Sequence, residues 1–228
     1  MRLLSVNVSH PREVAHGRKK VRTGIFKEPV AGRVVLRELN LDGDGQADLV
    51  NHGGVHRAAY AYPVENYDHW GRELGRDDLS FGQFGENFTV EGMTEDDIHI
   101  GDLFRVGETL VEVSQPRPPC FKLGIKMAMP GFPKLFLASG RVGFYLRVLE
   151  EGEVGAGDEI ERVRRDPERL TVRETSHLLF FETENLEGAR RALRVPALSP
   201  GWRESFEERL ITAGDDEPGT PKRGEELG

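Results

Sequence analysis

Residues 103–113 have the sequence LFRVGETLVEV. Two short apolar segments flank the pair Gly107-Glu108, and a two-residue connection that contains glycine is typical of a tight β-hairpin. Residues 142–148 alternate apolar side chains with others, as expected of a strand with one buried face. Short strands separated by glycine-rich turns predict a mainly β fold, in the form of a closed or nearly closed barrel.

Two helices are predicted to interrupt these strands. Pro63 is placed to open the first helix, because proline is favoured in the first turn. A second, shorter helix is predicted around residues 132–138. In the first helix, apolar residues recur at helical spacing, and these are Val64, Tyr67, Trp70 and Leu74.

The pattern changes near Asp166. The segment Thr171-Val172-Arg173-Glu174 has the form of a capping box, which starts a helix. Asn185 is placed to cap a second helix that runs through Leu193, and Ser199-Pro200 opens a third. In the third helix, large apolar side chains recur every fourth residue, and these are Trp202, Phe206 and Leu210.

These patterns divide the chain into three parts. The end of the chain is rich in Gly, Pro, Asp and Glu, a composition typical of disorder. We predict a β-barrel domain over residues 1–165, a small three-helix domain over residues 166–212 and a disordered tail over residues 213–228.

The overall composition excludes several classes of protein. The net charge of −8 argues against nucleic acid as the main partner, since binding to its backbone requires a basic excess. No apolar segment is long enough to span a bilayer, and residues 1–10 lack the features of a secretory signal. A single cysteine allows no disulfide within the chain, so we expect a cytoplasmic protein with no membrane partner.

That single cysteine, Cys120, lies in the segment SQPRPPCFK at residues 114–122. One thiol cannot form a four-cysteine zinc site or an iron–sulfur cluster. It can act as a nucleophile, or as one ligand to a metal that brings its other ligands with it. Three prolines stiffen the segment, and the cations Arg117 and Lys122 favour a thiolate. The alternative is a buried thiol that serves as a small apolar side chain.

Three further motifs carry groups that bind ligands, although each also fits an ordinary turn. The segment Thr23-Gly24-Ile25-Phe26-Lys27 offers a hydroxyl, a glycine and a lysine, which together can cradle a phosphate. The paired glycines of His52-Gly53-Gly54 let the backbone approach a ligand closely. Gly85-Glu86-Asn87 offers polar side chains to the edge of a heterocycle.

Residues 40–48, with the sequence NLDGDGQAD, have oxygen side chains at alternate positions, as in calcium loops. The twelfth position of an EF-hand count is Asn51, where a bidentate glutamate is required. The alternative is a polar turn in which aspartates bind nearby backbone amides.

Taken together and in this order, these segments resemble the MOSC domain, named for the C-terminal region of molybdenum-cofactor sulfurases. The resemblance extends to the YiiM-like branch, which carries a three-helix C-terminal region like residues 167–212. It covers nearly all of the chain except the tail. The matching elements are Thr23-Gly24-Ile25 with Lys27, Gly43-Asp44-Gly45-Gln46 leading to His52-Gly53-Gly54, the helix between Tyr62 and Trp70, Gly85-Glu86-Asn87, and the loop from Gln115 to Cys120.

The resemblance implies a MOSC-type β-barrel that binds the molybdenum cofactor, with Cys120 as the protein's metal ligand. The pterin dithiolene and oxo groups would supply the other ligands. The cofactor's phosphate and pterin edge need further residues, among which Lys27 and Arg117 rank highest. The implied cofactor-binding set is Thr23, Lys27, His52, Gly53, Gly54, Arg57, Gly85, Glu86, Asn87, Arg117 and Lys122.

The activity that the resemblance implies is that of an oxidoreductase, which reduces N-hydroxylated substrates, such as hydroxylaminopurine base analogues, to amines. His52, His56 and Glu86 are the candidate proton donors. The sequence has no cysteine cluster and no glycine-rich dinucleotide motif, so electrons are expected to come from a separate reductase or a ferredoxin-like protein.

Two other interpretations stay open, namely a carrier or binding module that depends on Cys120 and a calcium-stabilised β protein that depends on residues 42–48. Cys120 could carry a persulfide, so that the protein acts as a sulfur carrier or as a cofactor-binding module without turnover. Pyridoxal phosphate is also associated with this family, but it requires a lysine for a Schiff base, and no lysine stands in such a setting.

Overall fold

The computed structural model describes residues 1–47 and 53–214. Within these residues the chain forms twelve strands, which confirms the predicted mainly β fold. The strands are β1 (Arg2–Val8), β2 (Arg12–His16), β3 (Lys19–Thr23), β4 (Glu28–Pro29), β5 (Arg33–Leu36), β6 (Ala59–Pro63), β7 (Phe88–Glu91), β8 (Leu103–Val106), β9 (Thr109–Pro116), β10 (Phe144–Glu150), β11 (Gly152–Gly155) and β12 (Ile160–Arg164).

Eight of these strands form one curved sheet in the order β12-β8-β9-β10-β6-β7-β1-β4. Only the β6–β7 pair among them is parallel. The sheet returns on itself, because Arg2 at the start of β1 forms an antiparallel bridge with Glu159, just before β12. The amide of Ile160 donates to the carbonyl of Met1 at 3.0 Å across the same junction. The sheet is therefore nearly closed, as a barrel requires.

The predicted hairpin is confirmed as β8 and β9. Val106 pairs with Thr109, so Gly107 and Glu108 form the two-residue connection. Gly107 has a φ of 54°, a left-handed conformation that glycine adopts without strain. Strand β9 continues to Pro116 and leads directly into the segment that contains Cys120.

Two two-stranded sheets lie outside the main sheet. Strand β5 pairs with β11, and β2 pairs with β3. The β2–β3 hairpin was not predicted, because its side chains are mostly charged and exposed and give no apolar period.

Three short helices lie between the strands, after a 3-10 turn at Val55–Arg57. They are α1 (Glu65–Leu74), α2 (Phe121–Lys126) and α3 (Phe132–Ala138). The predicted apolar face of α1 is present, since Tyr67 and Trp70 are buried. Helix α1 begins at Glu65 rather than at Pro63, which instead ends β6 and pairs with Val90.

An aromatic layer fixes α1 and α3 to the barrel. Phe136 of α3 stacks on Tyr62 of β6 at a centroid distance of 5.9 Å and on Trp70 of α1 at 6.1 Å. Phe84 and Phe132 complete the layer, and all five side chains are almost fully buried. Burial of this much aromatic surface is a main contribution to stability.

The C-terminal region forms the three predicted helices, α4 (Val172–Phe180), α5 (Leu186–Leu193) and α6 (Pro200–Thr212). The Thr171 hydroxyl accepts from the amide of Glu174 at 3.0 Å, and the Asn185 side chain accepts from that of Gly188 at 2.8 Å. Both predicted caps are therefore present. Of the predicted tail, Ala213 and Gly214 end α6, and residues 215–228 lie outside the described part.

Helix α4 is tied to the barrel through its first turn. The amide of Val172 donates to the carbonyl of Ile98 at 2.9 Å, and that of Arg173 donates to the carbonyl of Glu95 at 3.0 Å. The Arg173 guanidinium also binds the carbonyl of Ser139 at 2.9 Å. None of the helices within residues 1–47 and 53–214 combines the length and apolar character needed to cross a bilayer.

Candidate functional site

Cys120 lies where β9 gives way to α2. Its backbone is extended, with φ −139° and ψ 137°, and it immediately precedes the first residue of the helix. Pro118 and Pro119 restrict the backbone that leads to Cys120. Cys120 itself is partly exposed. Cys120 is therefore not an apolar filler of the core, because two adjoining clefts both include it in their walls.

The inner cleft has about 590 Å³ of empty space, its open mouth included. Its wall combines backbone and polar side chains from the barrel rim with the Cys120 segment. The described residues that line it are Thr23, Gly24, Ile25, Lys27, Asp44, Gly45, Gln46, Ala47, Tyr60, Gly85, Asn87, Arg117, Cys120, Lys122 and Tyr145.

The outer cleft is larger, with about 1380 Å³ of empty space including open solvent. It shares Arg117, Cys120, Lys122 and Tyr145 with the inner cleft, so the two clefts adjoin along these four residues. Its wall is basic and partly aromatic. The described residues that line it are Lys20, Val21, Arg22, Arg57, Arg117, Pro118, Pro119, Cys120, Phe121, Lys122 and Tyr145.

A buried ion pair forms one wall of the inner cleft. Lys27 Nζ lies 2.6 Å from each carboxylate oxygen of Asp44, and the two side chains are 9% and 2% exposed. Asn87 Nδ2 donates to Asp44 at 2.9 Å, as does the amide of Ser9. Burial lowers the pKa of Lys27, and Asp44 offsets this only in part. Because Asp44 balances its charge, Lys27 is a poorer phosphate ligand than the sequence suggested.

Backbone contacts around Thr23 make the same wall tight. The Thr23 hydroxyl accepts from the amide of Ile25 at 3.2 Å. A Cβ at Gly24 would lie 2.5 Å from the carbonyl oxygen of Gly45, and one at Gly85 would lie 2.7 Å from Ile25 Cγ1. Glycine at positions 24 and 85 therefore allows these segments to touch at the edge of the cleft.

Arg117 is a buried cation of the site with no carboxylate within 4.0 Å in the described part of the chain. Its side chain is buried, with the residue 6% exposed, and it lines both clefts. The guanidinium carbon lies 5.0 Å from the ring centre of Tyr60 and 5.3 Å from that of Phe136. Nη1 has no hydrogen-bond partner among the described residues. Aromatic faces only partly replace the water that a buried cation loses, so the site favours an anion.

Glu86 was predicted as a cofactor-binding residue and a proton donor, but the structure places it beneath the site. It is fully buried and is not among the described residues that line either cleft. Its carboxylate accepts from the amides of Gly82 and Phe84 at 2.7 and 3.0 Å and from the hydroxyl of Tyr67. Burial raises its pKa. We assign Glu86 to holding the turn that presents Asn87.

The glycine and histidine segment contributes less to the clefts than the sequence suggested. Arg57 lines the outer cleft, whereas Gly53, Gly54 and His56 are absent from the described walls. Burial lowers the pKa of His56, and Arg147 and Arg57 lower it further, so the site favours the neutral ring. His52 lies outside the described residues.

The structure adds residues that the sequence did not single out. Tyr145 comes from β10 and Lys20 and Arg22 from β3, and all three line the outer cleft. Lys126 of α2 donates to the carbonyls of Ile25 and Gly82 below the cleft floor. Burial lowers the pKa of Lys126 to about 8, and nearby cations contribute. The one signal in the sequence was Tyr145, an aromatic residue on the polar face of its strand.

The calcium interpretation of residues 40–48 receives no support. Asp42 is paired with Arg37 at 2.6 Å, and Asp44 is paired with Lys27, so the two carboxylates serve different cations. Asp48 lies outside the described residues. Within the described part, no three His, Cys, Asp or Glu side chains are grouped as a metal site requires.

Comparison with known proteins agrees with this architecture. A family model described as MOSC domain matches residues 48–161, and one described as YiiM-like, 3-alpha helix domain matches residues 170–212. Uncharacterized protein YflK of Bacillus subtilis (strain 168) is 42% identical over 212 residues, 92% of this chain and 96% of YflK. Protein YiiM of Escherichia coli (strain K12) is 35% identical over 192 residues, 83% of this chain and 85% of YiiM.

A fungal protein named Reductase, from Gibberella moniliformis (strain M3125 / FGSC 7600), is 32% identical over 92% of this chain. The chain spans only 38% of that protein's length. Among solved structures, YiiM from Geobacillus stearothermophilus superposes with a TM-score of 0.78 at 35% identity, over 92% of this chain and 98% of that one. YiiM from Escherichia coli gives 0.74 at 30% identity, over 93% and 94%.

Proposed function

The chain belongs to the MOSC-domain family, in its YiiM-like branch, and we propose that it binds the molybdenum cofactor through Cys120 and reduces N-hydroxylated compounds to amines. The observation that carries the proposal is the position of the only thiol of the sequence in the shared wall of two clefts, together with the buried Arg117, whose Nη1 has no hydrogen-bond partner within the described residues. The name of the fungal relative, Reductase, agrees with a reductive reaction.

The residues of the site fit this cofactor. A single thiolate is enough when the dithiolene of a pterin supplies further sulfur ligands. Arg117 and Lys122 offer positive charge for a phosphate, and both lie in the walls that Cys120 shares. Asn87 Nδ2 donates to Asn7 and Asp44, and Gln46 Nε2 donates to Leu39 and Arg57, so these two amides hold the wall of the inner cleft. The groups offered to the edge of a pterin are Gln46 Oε1 and the backbone near Gly24.

When bound, the cofactor supplies the two-electron chemistry of molybdenum. The balanced reaction is R–NHOH + 2 H⁺ + 2 e⁻ → R–NH₂ + H₂O, in which the N–O bond breaks and its oxygen leaves as water. We propose that a separate ferredoxin-like or reductase protein supplies the electrons. One cysteine cannot hold an iron–sulfur cluster, and the sequence has no dinucleotide motif.

The chain's own residues bind, orient and supply protons. Cys120 is the anchor, Arg117 offsets negative charge, and the buried pair of Lys27 with Asp44 keeps one wall fixed. Tyr145 and Lys122 are described residues in both clefts that carry a transferable proton, and we assign proton supply to them rather than to Glu86.

The test compares wild-type protein with Cys120→Ser, produced in cells that synthesise the cofactor. Bound molybdenum is measured by mass spectrometry, and reduction of 6-hydroxylaminopurine is measured with an artificial low-potential electron donor. We expect both quantities to fall to background in the variant. Met129→Ser, which removes an exposed sulfur outside the described walls of both clefts, is the matched control and should resemble wild type.

The outcomes separate the alternatives. A persulfide on Cys120 in protein without molybdenum would favour sulfur transport. Molybdenum bound at Cys120 without turnover would favour a cofactor-binding module. Full molybdenum content and full turnover in Cys120→Ser would remove the thiolate from the mechanism.

A further inference from the structure

The outer cleft concentrates positive charge in a protein that is acidic overall. Five of the described residues that line it are lysine or arginine, and none of them is aspartate or glutamate. The whole chain, by contrast, has a net charge of −8. A concave surface with one sign of charge focuses its field and attracts ligands of the opposite sign. The five cations are Lys20, Arg22, Arg57, Arg117 and Lys122.

Three separate segments bring these cations together. Lys20 and Arg22 come from β3, Arg57 ends the 3-10 turn, and Arg117 and Lys122 flank the thiol. The β2–β3 hairpin belongs to no larger sheet among the described strands, and the contact of His16 with Phe121, at 5.6 Å between ring centres, joins it to α2. The hairpin is therefore placed to supply charge to the cleft rather than to build the barrel.

Much of this charge is unbalanced. Lys20 has a solvent-exposed partner in Glu13 at 3.1 Å, which contributes little neutralisation. Within the described part of the chain, Arg22 and Lys122 have no carboxylate within 4.0 Å. Arg117 is 6% exposed, and its Nη1 has no hydrogen-bond partner there. One arginine can donate two parallel hydrogen bonds to two oxygens of a phosphate. A phosphate group would therefore supply hydrogen-bond acceptors and negative charge to these cations.

The cleft also suits a planar ring next to that phosphate. Tyr145 and Phe121 lie in the same wall, and both side chains are aromatic. Because Cys120 is part of this wall too, a ring held here lies beside the proposed reaction centre.

We propose that the outer cleft binds a phosphate group of the substrate, so that the protein reduces N-hydroxylated nucleotides in preference to free bases. The proposal rests on the proposed function and narrows its substrate class. The cofactor's own phosphate has the same chemistry, so the experiment must distinguish the two sources.

The test uses Lys20→Gln/Arg22→Gln, whose side chains line the cleft, and Arg18→Gln/Lys19→Gln as the matched control. The control removes the same charge from exposed positions on the same hairpin, outside the described walls. In molybdenum-loaded protein, kcat/KM is compared for 6-hydroxylaminopurine and for the 5′-monophosphate of its ribonucleoside. We expect the nucleotide to be favoured by about ten-fold or more in wild type.

That preference should fall by about five-fold or more in Lys20→Gln/Arg22→Gln and stay unchanged in the control, with equal molybdenum in all three proteins. Equal kcat/KM for base and nucleotide in wild type would overturn the proposal and leave the proposed function standing. The same loss in both double variants, or a loss of molybdenum from the cleft variant, would also overturn it. The latter result would assign the cations to the cofactor.

A binding measurement decides the matter even if no substrate is reduced. Adenosine 5′-monophosphate and adenosine are titrated into the same three proteins by calorimetry at low ionic strength. Tighter binding of the monophosphate, lost only in Lys20→Gln/Arg22→Gln, supports the proposal. Equal binding of the two probes to wild type contradicts it, whatever the activity.

Discussion

At the scale of single residues, the site depends on charges that are buried and differently compensated. Lys27 is balanced by Asp44, and Glu86 is held by amide and hydroxyl donors. Arg117 lies against the rings of Tyr60 and Phe136, and its Nη1 has no hydrogen-bond partner among the residues that the structure describes. Removing one partner from a satisfied buried group costs the desolvation of the other. Substitution of a residue that builds the site should therefore lower stability, whereas substitution of a residue that binds the ligand should lower activity.

Glu86→Gln should lower stability without a selective loss of activity. Gln cannot accept from the amides of both Gly82 and Phe84, since one of its two terminal groups is a donor. We expect a loss of about 2 kcal/mol in the free energy of unfolding, measured in urea. Turnover per bound molybdenum should stay close to wild type, and the exposed change Glu91→Gln should alter neither quantity. A loss of turnover of about 100-fold in folded, loaded protein would instead make Glu86 the proton donor.

Because of Lys126, the free energy of unfolding should depend on pH in the alkaline range. Burial lowers its pKa to about 8, while a lysine in the unfolded chain titrates near about 10.4. Between these values the unfolded state holds a proton that the folded state has lost, so this group makes stability rise with pH. The stability of wild type relative to Lys126→Met should therefore increase by about 2 kcal/mol between about pH 7 and about pH 9.5 in urea unfolding.

The control for that measurement is Lys134→Met, which changes an exposed lysine on α3. Its stability relative to wild type should be the same at both pH values. If Lys126→Met behaves like this control, the ammonium group is not desolvated beneath the cleft.

At the scale of elements, the sequence alone predicts a helix or strand where neighbouring residues show an apolar period or a capping motif. The β8–β9 hairpin, the apolar face of α1 and the caps at Thr171 and Asn185 all follow from spacing. Helix α2 does not, because six residues are too few to show a period and Gly124 lies in its middle. There, a Cβ would lie 3.0 Å from the carbonyl oxygen of Met129, so packing in three dimensions selects the glycine.

In the candidate site, too, features within one segment can be predicted from the sequence, whereas contacts between segments cannot. The sequence places Cys120, Arg117 and Lys122 together because they are neighbours in one segment. It does not show that Asp44 neutralises Lys27, since 17 residues separate them and only the fold brings them to 2.6 Å. The same holds for Tyr145, which comes from β10 and lines the same clefts as Cys120. Charge balance within a cleft is a property of the fold.

At the scale of the whole molecule, the three helices are joined to the barrel by more than a linker. His99 bridges to Thr171 in an antiparallel pair, and the amide of Ser199 donates to the carbonyl of Ser114 at 3.2 Å. Ser114 is part of β9, the strand that leads to the Cys120 segment. The C-terminal helices therefore contact the strand that leads to the Cys120 segment, and we infer that the two regions unfold together.

A single destabilising substitution in α6 should therefore lower the stability of the barrel as well. The sequence has two tryptophans, Trp70 on α1 and Trp202 on α6, so Trp202→Phe leaves Trp70 as a reporter of the barrel. In that background, Phe206→Ala removes a fully buried ring and should cost about 3–5 kcal/mol. The urea midpoint of Trp70 fluorescence should fall together with the far-ultraviolet circular dichroism. The exposed change Glu207→Ala should move neither signal, because it removes no buried surface. If the urea midpoint of Trp70 fluorescence is unchanged while the circular dichroism of the helices is lost at lower urea, the barrel is stable without its helices.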